Sequence, residues 1–114
     1  MLLLCNQNKD SMIILDNLTA VTEYTRNIVT DKSHIGLNVI VDGQRISICE
    51  IQYNKDDMSQ INKVADQIRC LKVDIIEAYR TYKDNVISNP FQDEYYYIDY
   101  NYKLIKVNST KEVF

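Results

Sequence analysis

The alternation of apolar and polar residues divides the chain into short extended segments, one long helix and two further extended segments. Leu2-Leu3-Leu4 and Met12-Ile13-Ile14-Leu15 are short apolar runs separated by the turn formers Asn6-Gln7-Asn8-Lys9-Asp10, a pattern that predicts an edge hairpin. Leu18 to Thr25 is rich in β-branched and aromatic residues and reads as a strand. Asn27 to Gly36, with Asp31-Lys32-Ser33-His34, reads as a polar loop. In Leu37 to Ile51, Asp42-Gly43 suits the positive φ values of a type I′ turn. Folding there pairs Val41 with Gln44, Val39 with Ile46 and Leu37 with Ile48. One face then collects Leu37, Val39, Val41, Ile46 and Ile48, and the other Asn38, Ile40, Arg45, Ser47 and Cys49.

Between Asp57 and Tyr82 the period changes. Ile61, Val64, Ile68, Leu71, Ile75, Ala78 and Tyr82 recur at steps of three and four, which places them on one stripe of a helix. Asp57 followed by Gln60 fits a capping box. A helix of this length spans roughly 39 Å, longer than most sheets are wide. Its second half, Leu71, Ile75, Tyr79 and Tyr82, therefore needs a cover: the C-terminal strands, or the same surface of a second subunit. Lys83-Asp84-Asn85 ends the helix, and Pro90 keeps Asn89 extended. Tyr95-Tyr96-Tyr97-Ile98 and Tyr102 to Val107 are strands around Asp99-Tyr100-Asn101, and Ser109 to Phe114 is a frayed tail. The fold class is α+β: an antiparallel sheet, one long helix packed on it and a C-terminal hairpin, in a single domain of residues 1–114.

Composition adds three constraints. With only two glycines and one proline the chain has no linker. The net charge of −3 is spread along the sequence, without the basic stripe that nucleic-acid binding needs. Cys5, Cys49 and Cys70 are odd in number and lack CxxC spacing, which suggests free thiols rather than disulfides or zinc. The opening apolar run lacks a basic start and stops too early for a signal peptide, so the chain is placed in the cytoplasm.

No catalytic motif emerges: there is no Gly-rich phosphate loop, no GxSxG and no HExxH, and the single histidine, His34, falls in the polar loop. The expectation is a protein without enzymatic activity, cofactor or metal. Tyrosine is the outlier, with nine residues, five of them between Tyr95 and Tyr102. On a strand Tyr95 and Tyr97 face one way, Tyr96 and Ile98 the other. Tyrosine offers large contact area at low entropic cost, so Tyr95, Tyr96, Tyr97, Tyr100 and Tyr102 are candidate protein-binding residues. Asp93, Glu94 and Asp99 beside them suit a partner with a basic surface. The competing readings are a strand built from a good strand former, and stacking on a nucleotide base.

Asn6-Gln7-Asn8-Lys9 after the first apolar run, then Ile14-Leu15-Asp16-Asn17, resembles a family of small proteins of low-GC Gram-positive bacteria and their prophages. Ile75-Ile76-Glu77-Ala78-Tyr79 is similar to the helix end in that family, although this chain has a longer helix and a tyrosine-rich end. The resemblance implies a small accessory protein carried by a phage or mobile element. Three functions are then expected in turn. The first is a protein inhibitor of a host defence component, such as an anti-CRISPR protein acting on a nucleic-acid-guided nuclease. The second is a sponge for a nucleotide immune signal, held by Arg45, Arg69 or Arg80 at a subunit interface of a homodimer. The third is a structural or assembly protein.

Overall fold

The computed structural model describes residues 1–7, 9, 11–27, 31–88 and 90–107, so the expected tail and the expected extended Asn89 lie outside the described residues. Helix α1 runs Met58–Val86 and follows strands β1 (Leu2–Cys5), β2 (Met12–Ile14), β3 (Leu18–Asn27), β4 (Lys32–Val41) and β5 (Gln44–Asn54). Strands β6 (Glu94–Ile98) and β7 (Leu104–Val107) come after it. The fold is α+β, with a four-stranded sheet in the order β2-β1-β6-β7 and a three-stranded sheet in the order β3-β4-β5.

The three-stranded sheet is antiparallel throughout, and its central hairpin turns at Asp42-Gly43, both with positive φ. Val41 pairs with Gln44 and Val39 with Ile46 as expected, but Leu37 faces Cys49. The expected pairing of Leu37 with Ile48 is displaced by a register shift between Leu37 and Asn38, which leaves Ile48 as the extra residue of a bulge. The Ile48 carbonyl accepts from Gln7 N–H at 3.1 Å, so the bulge ties the two sheets together. The polar loop expected over residues 27–36 is largely strand: Asn27 ends β3, residues 28–30 lie outside the described residues, and residues 32–36 are extended. They begin β4, because Ser33 is buried with its hydroxyl 3.0 Å from both the Arg26 carbonyl and Asn27 Oδ1, and the remaining polar side chains point to the outer face.

The β1–β2 and β6–β7 hairpins form as expected, but they are joined by a parallel pairing of β1 with β6. Strand β1 is thus interior rather than an edge, consistent with its unbroken apolar run and four buried residues. Strands β2 and β7 are the edges.

Helix α1 packs against β3, β4, β5 and β7. Asp57 caps it by accepting from Gln60 N–H at 3.1 Å. The reciprocal half of the capping box does not form, since Gln60 Oε1 accepts from Asn54 N–H instead. The helix continues past Lys83-Asp84-Asn85 because Val86, four residues beyond Tyr82, extends the stripe that packs on the core. Val64, Ile68, Leu71 and Ile75 meet Leu37, Val39, Ile48 and Ile51 of the three-stranded sheet and Leu2, Leu4 and Ile98 of the four-stranded one in a single core.

Candidate interaction surface

The register of the four-stranded sheet sorts its side chains into two faces. Leu2, Leu4, Ile13 and Ile98, with Tyr96 and Leu104, belong to the core around α1. On the opposite face, Ile14, Leu3, Tyr95 and Val107 form one row across the strands, and Met12, Cys5, Tyr97 and Ile105 form the next. All eight are apolar or aromatic. Leu3, Cys5 and Val107 are buried without belonging to the core around α1. Around them Ile14 is 50% exposed and Met12 37%, and Tyr95, Tyr97 and Ile105 are half-buried. Exposed apolar side chains gathered on one sheet face are what binding surfaces present.

The tyrosine-rich segment is divided by this geometry. Tyr95 and Tyr97 lie on the outer face, Tyr96 on the core side, as alternation requires. Burial first, then the adjacent Glu94 carboxylate, pushes the Tyr96 phenol up from its ordinary pKa. Tyr100, at the hairpin turn, is 95% exposed. Tyr102 takes a left-handed φ of 59° and packs against the core instead of starting the last strand. The acids are engaged locally. Glu94 is 4% exposed and accepts from Lys106 Nζ at 3.3 Å, while the Met1 ammonium stands 2.6 Å from Asp93. Asp99 Oδ1 accepts the backbone N–H groups of Asn101 and Lys103, both at 2.9 Å, and so shapes the turn. Of the expected acids, Glu94 is withdrawn from any surface.

Where β1 and β6 end side by side, Gln7, Lys9, Tyr97, Ile98, Asp99 and Tyr100 line a groove of about 380 Å³. Lys9 Nζ sits 5.3 Å from the centroid of the Tyr97 ring. Tyr97 therefore belongs both to the apolar face and to this groove.

The second half of the helical stripe, for which the expected cover is either the C-terminal strands or a second subunit, is covered within the chain. Leu71 and Ile75 are each 1% exposed and Tyr82 is buried, while Tyr79 is half-buried with its hydroxyl 3.4 Å from the Asp16 carbonyl. The cover comes from β1 and the C-terminal strands: Ile75 and Ala78 share a small void with Leu2, Leu4, Tyr96 and Leu104. A partner interface through Leu71, Ile75 and Tyr82 would require opening the core.

A polar network that the sequence pattern does not announce lies on the outer face of the three-stranded sheet. Tyr24 and Arg26 of β3, His34 of β4, and Ser47 and Glu50 of β5 converge there. Tyr24 OH donates to Glu50 Oε2 at 2.6 Å and lies 2.8 Å from Ser47 Oγ. Arg26 donates from Nε to Glu50 Oε2 at 3.2 Å and from Nη2 to Glu50 Oε1 at 2.9 Å. Arg26 Nη2 also lies 2.9 Å from His34 Nδ1; a guanidinium only donates, so the neutral imidazole carries its proton on Nε2. The Arg26 hydrogen bonds hold Glu50 below the usual carboxylate range, and burial, then Glu50, pushes Tyr24 up to about 12. Neither group changes charge near neutral pH, which fits a network that clamps three strands better than acid–base chemistry. The signal that could have revealed it is Gly36, a glycine within a strand.

Arg45, Arg69 and Arg80 do not converge: Arg45 is on β5, Arg69 pairs with Asp66 on α1, and Arg80 borders a groove beside β3. Among the described residues no group of three or more potential ligands could hold a metal, and no helix is long and apolar enough to cross a membrane. No protein-family model, curated protein or solved structure matches the chain.

Proposed function

We propose that the chain is a non-enzymatic binding protein that engages a protein partner through the outer face of its four-stranded sheet, and that it serves as a phage or mobile-element inhibitor of a host defence component of the anti-CRISPR kind. One observation carries the binding reading: two complete cross-strand rows, Ile14–Leu3–Tyr95–Val107 and Met12–Cys5–Tyr97–Ile105, are apolar or aromatic on the face turned away from the helix. Tyr95, Tyr97 and the exposed Tyr100 supply rigid contact area with hydroxyls for a polar rim. The inhibitor reading draws its support from the resemblance at Asn6–Lys9 and Ile14–Asn17 and from the mild acidity of the chain, which suits a partner that binds nucleic acid through a basic surface.

The experiment is co-purification with a nucleic-acid-guided nuclease from a bacterial host, comparing the parent with Tyr95→Ser combined with Tyr97→Ser. The reading expects a complex with the parent, and at least tenfold weaker binding for the double variant, in line with about 1–2 kcal/mol for each aromatic ring removed from an interface. Equal binding by both would remove the sheet face from the interface.

A further inference from the structure

We propose that the groove at the ends of β1 and β6 is a socket for one cationic side chain, arginine or lysine, of the protein partner, and that Lys9 occupies it in the free protein. The inference rests on the protein-binding reading and specifies the chemistry of the partner at one point.

Among the described lining residues, Gln7, Tyr97, Asp99 and Tyr100 carry acceptor groups. Lys9 stands over the ring of Tyr97, whose quadrupole attracts cations, and Tyr100 and Gln7 line the groove beside it. Asp99 also lines the groove, and its carboxylate is held in place where Oδ1 accepts two backbone N–H groups of the turn. Among the described lining residues the one cation is Lys9, with its ammonium 5.3 Å from the Tyr97 centroid. The chain's own lysine thus marks where a positive charge is accommodated. Lys9 is exposed, and an exposed ammonium over a ring is held weakly, so a partner cation that arrives with the rest of an interface displaces it. A guanidinium adds a planar group that stacks on tyrosine and donates to a carboxylate. The groove adjoins the apolar rows through Tyr97, so one partner surface reaches both.

An anionic ligand is the alternative. It would use Lys9 as its counter-ion, and it would meet Asp99 and the ring of Tyr97. The two cases make opposite demands on Lys9.

The test titrates the full chain with Nα-acetyl-arginine amide and, separately, with adenosine monophosphate, following the Tyr97 and Tyr100 ring resonances by NMR. Lys9→Gln, which empties the socket, is expected to bind the arginine probe about two- to fivefold more tightly than the parent. Asp99→Asn keeps an oxygen for the turn, removes the charge, and is expected to weaken that binding; Tyr97→Phe, which keeps a ring, is expected to preserve it. Unchanged or weaker arginine binding by Lys9→Gln overturns the proposal, as does adenosine monophosphate binding that depends on Lys9. Because the titration needs no protein partner, its failure leaves the protein-binding reading standing, and loss of that reading in co-purification leaves the titration result unaffected.

Discussion

The ring of Tyr24 lies against the backbone of Gly36, in the space that any side chain at position 36 would fill. A Cβ added to Gly36 would fall 2.3 Å from Tyr24 Cζ and 2.5 Å from Tyr24 OH. This close approach is what brings the phenol to Ser47 and Glu50 across the central strand. Gly36→Ala must displace the ring end of this half-buried side chain, and about 1–3 kcal/mol of destabilisation is expected from the loss of the phenol's hydrogen bonds to Ser47 and the Glu50 carboxylate. Urea denaturation gives the value. In the background of Tyr24→Ala the same substitution is expected to cost much less, because the clash is gone.

The Tyr24–Glu50–Arg26 network has a pH signature with two limbs. Arg26 holds Glu50 below its ordinary value of 4.5, so the contribution of Glu50 is complete above that value and is lost as pH falls through the folded one. Tyr24 moves the other way, from 10.0 to about 12. Below 10 both states carry the protonated phenol; between 10 and about 12 the unfolded chain ionises first, so stability falls. Arg26→Ala is expected to shift the acid limb toward higher pH, and Tyr24→Phe to remove part of the alkaline loss. Thermal melts from pH 3 to 11.5, compared between variants, check both.

The helix stripe belongs to the core of one chain. Ile68, fully buried, is expected to cost about 2–5 kcal/mol on replacement by alanine, and Cys70, exposed on the same helix, about 0.5 kcal/mol or less on replacement by serine. Removing the cap with Asp57→Ala is expected to cost about 1 kcal/mol. Ile75→Ala separates intrachain burial from a subunit interface. Its lowered midpoint is expected to be independent of protein concentration, and a midpoint that rises with concentration would restore the subunit interface.

What was legible in the sequence was local. The steps of three and four from Ile61 to Tyr82 encode the helix and its buried face, and Asp42-Gly43 encodes the hairpin, because both signals lie within a few residues of what they specify. The opposite facing of Tyr95 and Tyr97 against Tyr96 and Ile98 followed from the period of a strand. What was not legible depends on pairing between distant segments. Nothing near Leu2 announces that it lies beside Glu94, and that pairing buries the Glu94 carboxylate and makes β1 interior. The bulge at Ile48 likewise goes with a hydrogen bond from Gln7, in the turn that follows β1. His34 read as a loop residue because polar neighbours look alike in a loop and on a solvent-facing strand.

The central claim is that the outer face of the four-stranded sheet is where the partner binds. Site-specific photo-cross-linking in the bacterial host tests it most directly, with a benzophenone side chain placed in turn at positions 14, 95 and 97 on the sheet face, and at 69 on the exposed side of the helix. One and the same adduct, identified by mass spectrometry, is predicted from the three sheet positions and none from 69. An adduct formed from 69 but not from 14, 95 or 97 would contradict the claim.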